Sequence, residues 1–516
     1  MDQTELKKKV LSLIEQGILI SPDMLENLPA KLIENKEIVV LTPEVMENNN
    51  KEMNWKEFER IRCLYEKGKT HPYNKFISTL KRAETRVLET AEKMTKSIYG
   101  NDVEVVFSYQ EKSHERNVED FVALFNARYQ AIKKFLQSRQ ELQNLLSISK
   151  VKLKKDREEL SIIGVVAEKQ ITKNKNLLLR IEDPTGTISV LVNINKPDLY
   201  QEAKSIVEDE VIGVSGVNGN NIVFANNIVW PDVPNQELKK SPEEGYVIFL
   251  SDLHVGSVDF LPKEFDRFLR WINGKLGDES QIAIAKKVKY VVIAGDLVDG
   301  VGIYPNQDKE LEIKDIYEQY EKCASLLKEI PSHIKLIIAP GNHDASRIAE
   351  PQPPLPKDYA EPVHKLKNAT LVSNPAYVKI GQTENFSGFT VLIYHGYSFD
   401  YYVDNVEFLR NKGGYDRPDL LMKFFLKRRH LAPTHTSTLY IPEKKFDPLV
   451  ITQVPDIFVT GHIHKSCAVN YKGITLISGS CWQSATSFQK KLGHHPEPAR
   501  VPVMNLKTRE IKLLKF

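Results

Sequence analysis

Five apolar runs in the second half of the chain each end in a residue able to hold a metal ion. Val247-Ile248-Phe249-Leu250 leads into Ser251-Asp252-Leu253-His254, and Val291-Val292-Ile293-Ala294 leads into Gly295-Asp296-Leu297-Val298-Asp299. Leu336-Ile337-Ile338-Ala339-Pro340 runs into Gly341-Asn342-His343-Asp344, Val391-Leu392-Ile393-Tyr394 meets His395-Gly396, and Ile457-Phe458-Val459-Thr460 delivers Gly461-His462-Ile463-His464. Such runs, alternating with helical segments, predict an α/β domain with a buried sheet over residues 243–516. The helical spacing of Leu311, Ile316, Tyr317, Tyr320, Ala324 and Leu327 predicts one helix over Asp308–Glu329, stopped by Pro331. Ligands of sheet enzymes collect at the carboxyl ends of strands, so the five segments are expected at one rim. Carboxylate, imidazole and amide-oxygen donors suit manganese, iron, zinc or magnesium rather than a thiolate-loving metal. Alternation along an extended backbone would put Asp252 with His254, and His462 with His464, on one side of the chain. Glycines before Asp296, Asn342 and His462 would allow tight turns from strand to site.

The rest of the chain reads as further domains. Its 516 residues exceed the size at which one core stops growing, roughly 250–300 residues, so a multidomain protein is expected. A composition of 41% hydrophobic and 27% charged residues is that of ordinary soluble protein, and the net charge of +3 gives no argument for nucleic acid. No stretch approaches the ~18 apolar residues of a membrane span, and the N-terminus is polar, so no membrane contact and a cytoplasmic location are expected. Cys63, Cys323, Cys467 and Cys481 are too scattered for a disulfide framework or a CxxC zinc site and are expected as reduced thiols.

Residues 1–47 predict a small helical N-terminal domain, from Leu6, Val10, Leu13 and Ile14 at helical spacing and Ser21-Pro22 as a helix start. Residues 48–149, opening on Asn48-Asn49-Asn50, predict a charged, helical connector. Residues 150–236 carry about five short β-rich runs, with turns at Asp183-Pro184-Thr185-Gly186 and Asn218-Gly219-Asn220-Asn221. This all-β stretch resembles an OB-fold barrel, most clearly over Leu179–Gly186. Its aromatics, Tyr200, Phe224 and Trp230, make a thin platform for single strands, which favours a scaffold or docking role.

A lone Asp or His at a strand end is usually a cap or turn residue. Five ordered motifs, each after a strand-like run, are not an accident of that kind. They resemble the calcineurin-like metallophosphoesterase superfamily, with its succession DxH, GDxxD, GNHD, H and GHxH. The resemblance implies that Asp252, His254 and His464 hold one divalent cation, that Asn342, His395 and His462 hold a second, and that Asp296 bridges them. It also implies His343 as the catalytic histidine with Asp344 as its orienting partner. Manganese (Mn2+) is the expected metal, with magnesium, iron or zinc (Mg2+, Fe2+, Zn2+) left open. Two such cations about 3.5–4 Å apart would clamp a phosphate and lower the pKa of a water toward ~7.

The superfamily spans several substrates, and domain order narrows them. A helical lead, an OB-fold barrel and then a phosphoesterase domain is similar to the family of small subunits of archaeal D-family DNA polymerases. That resemblance implies a 3′–5′ exonuclease acting on single-stranded or mismatched 3′ ends of DNA and a heterodimer with a large catalytic polymerase subunit. Contacts with a sliding clamp or primase would come through that complex. Two other readings stay open: a catalytically silent scaffold, and a stand-alone phosphodiesterase or phosphatase.

The segment Tyr397–His435 mixes Tyr397, Phe399, Tyr401 and Tyr402 with Lys423, Lys427, Arg428 and Arg429. Tyr397, Arg428 and Arg429 are therefore candidates to bind a frayed DNA end. The plainer reading, aromatics in the core and the basic run on a solvated helix face, is favoured by the usual behaviour of charge runs. His494-His495, in a loop between Gly493 and Pro496, is expected at the surface or facing a partner.

Overall fold

The computed structural model describes residues 103–110, 115–154, 156–486, 489 and 494–516, with two short strands, Leu19–Ile20 and Val40–Leu41, that pair in parallel. The helical domain expected over 1–47 lies outside the described residues apart from that strand pair, as do Cys63 and the first half of the expected connector. The chain divides into compact units Met1–Asn101 and Asp102–Phe516, and the second carries the β-rich stretch and all five motif segments.

Residues after 102 are not a connector. Strand β1 (Val103–Ser108) pairs antiparallel within a sheet of the C-terminal domain, and helix α1 (Val118–Gln137) packs beside it. Asn117 caps α1 in a reciprocal capping box with Asp120, and Leu124, Arg128, Tyr129, Ile132 and Leu136 are buried along it. The charged neighbours of Val103–Ser108 hide six residues of strand within a polar context.

A closed barrel follows, made of β2 (Glu159–Ile171), β3 (Leu177–Asp183), β4 (Gly186–Val192), β5 (Val211–Gly219) and β6 (Ile222–Val229) in the order β2-β3-β4-β6-β5. Helix α2 (Pro197–Ala203) connects β4 to β5. Both expected turns are present: Asp183 pairs with Gly186, and Asn220 and Asn221 take left-handed conformations between β5 and β6. Of the three barrel aromatics only Phe224 is exposed, because Tyr200 and Trp230 are buried and the Lys427 ammonium lies 3.7 Å over the Trp230 ring.

The C-terminal domain stacks two six-stranded sheets. The first contains β7 (Tyr246–Leu250), β8 (Val288–Ala294), β9 (Lys335–Ala339) and β10 (Ala369–Leu371), all parallel, flanked by antiparallel β16 (Arg500–Asn505) and β17 (Ile511–Lys515). The second contains β11 (Ala376–Ile380), β12 (Phe389–Ile393), β13 (Ile457–Thr460), β14 (Cys467–Tyr471) and β15 (Ile474–Ser478), in the order β14-β15-β13-β12-β11-β1. Strands β12, β13 and β15 run parallel.

Side-chain alternation assigns each central strand to two cores. Val247 and Phe249 of β7, Val292 of β8, Val391 of β12 and Val459 of β13 share the core between the sheets. Ile248, Leu250, Val291 and Ile293 face outward, onto α3 (Pro262–Ile272) and α5 (Ile316–Lys328), while α4 (Glu279–Ala285) precedes β8. On the other side Leu392 and Phe458 pack beneath α7 (Phe399–Asn405), α8 (Glu407–Asn411) and α9 (Pro418–Arg428). A short helix α6 (Lys357–His364) leads into β10. Helix α5 starts later than its spacing suggests, because the Asp315 carboxylate caps it by accepting from the amides of Tyr317 and Glu318. Leu311 consequently sits in a bridge with Ser257, off the helix.

Barrel and sheet domain are locked by buried ionic contacts. Arg428, 3% exposed, forms an ion pair with Glu210 of the barrel, also 3% exposed. Thr434 Oγ1 donates to Glu208 O, and the His435 amide donates to Asp209 Oδ2. From α1, Arg128 meets Asp447 at 2.6 Å, and His430 meets the same carboxylate at 3.0 Å. A second buried polar group lies under β12: Tyr394 OH donates to Glu350 Oε2 at 3.1 Å, and Asn374 offers Nδ2 to Glu350 and Oδ1 to the amide of His395. Burial pushes the Glu350 carboxyl up to about 7, although hydrogen bonds from Thr438 and Tyr394 pull the other way.

Removing one partner of a buried ion pair strands the other charge. Arg428→Ala is therefore expected to lose roughly 3–5 kcal/mol of stability in urea unfolding, and Arg428→Met combined with Glu210→Leu far less. An acid whose pKa rises on folding destabilises the fold as pH climbs from its unfolded to its folded value. Glu350→Gln should accordingly gain on the parent, in metal-free protein, by on the order of 3 kcal/mol between pH 4.5 and pH 8. Urea titrations at several pH values check the sign.

Candidate metal centre

All five motif segments leave the carboxyl ends of parallel strands, three from the first sheet (β7, β8, β9) and two from the second (β12, β13). The donors converge in two groups. Around the first, His254 Nε2 and His464 Nε2 lie 3.1 Å apart, with Asp252 Oδ1 3.5 Å from His464 and 4.0 Å from His254. Around the second, Asn342 Oδ1 lies 2.9 Å from His395 Nε2 and 3.0 Å from His462 Nδ1. Asp296 Oδ2 stands between them, 3.8 Å from His254 Nε2 and 3.3 Å from His395 Nε2. Donors bound about 2.1 Å from one ion at right angles are themselves about 3 Å apart, so these spacings fit ligand sets. Carboxylate, imidazole and amide oxygen together match a borderline or hard divalent cation.

The backbone reaches this geometry under strain. Asp252, His254, Asp296, His462 and His464 all have left-handed φ, between 50° and 72°. Non-glycine residues take this region rarely, at about 1–3 kcal/mol each, and such residues cluster at functional sites. Extended alternation is therefore not what joins Asp252 with His254 or His462 with His464; each member turns inward on its own left-handed residue. The preceding glycines serve close approach: a Cβ on Gly295 would strike the His395 ring, and one on Gly341 would strike the Asp296 carboxylate.

Each imidazole turns one nitrogen to the donors and the other to a partner, which fixes its orientation. His254 Nδ1 lies 3.0 Å from Asp299 Oδ1, and Gln307 and Gln483 donate to the same carboxylate. His395 Nδ1 lies 2.8 Å from Ala294 O, His464 Nδ1 3.0 Å from Gln489 Nε2, and His462 Nε2 3.0 Å from Asp400 Oδ2. Asp299 belongs to a legible motif. Asp400, Gln307, Gln483 and Gln489 sit outside every motif, with no spacing signal to mark them.

Charges here shift one another. Burial pulls the His395 imidazole down, but the Asp296 carboxylate outweighs it and pushes the pKa up to about 10. Burial acts to raise Asp296, yet His395 and His343 hold it well below the usual carboxylate range. Burial acts likewise on Asp400, and the His462 imidazole keeps that carboxyl below its ordinary value.

His343 stands at the mouth, half-buried, its ring 4.7 Å from that of His254. Its partner is not Asp344. His343 Nδ1 lies 2.7 Å from the carbonyl oxygen of Asp299, whereas the Asp344 side chain accepts from the amides of Gly341 and Leu297 and from Tyr320 OH. Asp344 thus closes the turns after β8 and β9 from beneath, and burial raises its pKa to about 7.

Of the three candidate DNA contacts, only Tyr397 lies at the mouth, half-buried with its ring 5.8 Å from that of His462. Arg428 is spent on Glu210, and Arg429, also 3% exposed, donates to the carbonyls of Ile451 and Thr452. Neither guanidinium faces DNA or solvent, because α9 ends against the barrel and its terminal cations fill that junction. His494 stacks 4.1 Å from Tyr415, and His495 is exposed. Cys323, Cys467 and Cys481 are free thiols, and among the described residues no helix is long and apolar enough to cross a membrane.

Residues 247–468 match the family model for the B-type accessory chains of DNA polymerases alpha and epsilon. The chain is 41% identical to the DNA polymerase II small subunit of Methanothermobacter thermautotrophicus over 416 residues, 80% of this chain and 83% of that one. It is 41% identical to the corresponding subunit of Archaeoglobus fulgidus, covering 76% of each, and to that of Pyrococcus furiosus, covering 78% of this chain and 65% of the other. The printed name of these relatives implies a larger companion. On the strength of these matches, the chain belongs to the family of archaeal DNA polymerase II small subunits.

Proposed function

We propose that the chain is a metal-dependent 3′–5′ exonuclease that removes nucleotides from single-stranded or mismatched DNA ends beside a large polymerising subunit. One observation carries this reading: seven donors from five strand ends gather in two groups that share Asp296. A calcineurin-like metallophosphoesterase domain, resting on an OB-fold barrel, is the assignment that this geometry and the strand order favour.

Asp252, His254 and His464 would hold one cation, and Asn342, His395 and His462 the other, with Asp296 between. Manganese suits these donors, and magnesium, iron or zinc also match them. Bound there, the cations supply Lewis acidity toward the phosphate oxygens and activate the attacking water. The remaining work falls to side chains. His343, with Nδ1 engaged by the Asp299 carbonyl, presents Nε2 to the mouth, where it can donate a proton to the departing 3′ oxygen. Tyr397 offers its ring to the terminal base. Asp296 and Asp252 also hold loop amides of His343 and His462, which ties donor geometry to the backbone.

The barrel has a supporting part in this reading. One exposed aromatic, Phe224, makes a poor strand-binding platform, whereas the Arg428–Glu210 lock suits a rigid base for docking the large subunit. Clamp or primase contacts would be made through that complex.

The test is manganese-supplemented digestion of a primer with a mismatched 3′ end by the full-length chain, alone and with its large subunit. The parent is expected to release nucleoside monophosphates. His343→Ala should keep its metal and lose ~10²–10⁴ in kcat. Asn342→Ala and His395→Ala should lose both activity and one cation. Digestion by His343→Ala at the parental rate would reject its role, and an inert, metal-free parent would favour a silent scaffold.

A further inference from the structure

The segment between β12 and β13 supplies no member of the two donor groups, yet one of its carboxylates touches them. Asp400, on α7, places Oδ2 3.0 Å from Nε2 of His462, while Nδ1 of the same ring points to Asn342 Oδ1 at 3.0 Å. An imidazole ligates through a nitrogen that carries no proton, and an acceptor on the other nitrogen fixes both that tautomer and the plane of the ring.

His462 needs such a fix more than its neighbours do. The side chains of His395 and His254 are 0% and 2% exposed, whereas that of His462 is 12% exposed, so packing restrains it least. Asp400 is itself braced. Tyr415, in the turn Gly414–Asp416, hydrogen-bonds to it, and the His494 ring packs on Tyr415 at 4.1 Å. Three separated pieces of chain thus stand behind one ring.

We infer that Asp400 is a positioning residue whose carboxylate holds His462 as an Nδ1 donor, and that the β12–β13 segment serves the site through this contact. The inference rests on the two-cation reading above. A half-exposed Asp–His pair with no such role would be a surface contact of little consequence.

Calorimetric titration of the metal-free full-length chain with manganese separates these cases. The parent should take two cations. Asp400→Ala should bind one as the parent does and the other ~10–100-fold more weakly, the loss typical of removing a ligand's supporting acceptor. Asp400→Asn, whose amide oxygen can still accept from Nε2–H, should restore most of that affinity. Thermal unfolding of the metal-free proteins should be alike. Parental binding at both sites in Asp400→Ala, or equal weakening of both, would overturn the inference. A parent that takes fewer than two cations would sink the two-cation reading itself, and this inference with it.

Discussion

Asp296 stands where the two sheets meet, and its two oxygens face different tasks. Oδ1 accepts the amide of His343 at 2.8 Å, while Oδ2 lies between His254 on one side and His395 on the other. Every other donor comes from a single strand end and touches one group; this carboxylate joins β7 and β8 of one sheet to β12 of the other. The stacking of the sheets over a shared core therefore decides whether the donors meet at all. Gly341 and Gly295 allow the approach, since a side chain on either would collide with Asp296 or His395.

Strain at this junction has a structural counterpart elsewhere. Five left-handed non-glycine residues would unfold a loosely packed rim, but the strands behind them are fully buried on both faces and their ends cannot relax. The outer supports, Asp299, Gln307 and Gln483 around His254 and Asp400 around His462, hold rings rather than ions. Barrel and helix α1 add rigidity from outside through buried charge pairs at Arg428–Glu210 and Arg128–Asp447. The fold thus fixes geometry in advance, which is what a centre acting through electrostatics requires.

Much of this is legible in the chain. Apolar runs ending in Asp, Asn and His announce strands and their rim, because a strand's direction carries its last residues to one edge, and turn residues at Asp183–Gly186 and Asn218–Asn221 announce the barrel hairpins. What escapes is set by tertiary context. Val103–Ser108 is too short and too surrounded by charge to advertise an edge strand. Arg428 and Arg429 read as a solvated or DNA-facing run because burial of a cation depends on a distant acceptor, here Glu210 and the carbonyls of Ile451 and Thr452. Adjacency suggests Asp344 as the partner of His343, but a turning backbone sends neighbouring side chains apart. Asp400 carries no signal, since its partner lies 62 residues away.

The most direct test is anomalous X-ray scattering from crystals soaked in manganese. Two peaks should lie about 3.5–4 Å apart, one bounded by Asp252, His254 and His464, the other by Asn342, His395 and His462, with Asp296 reaching both. A lone peak, or peaks away from these side chains, would contradict a centre built on two cations.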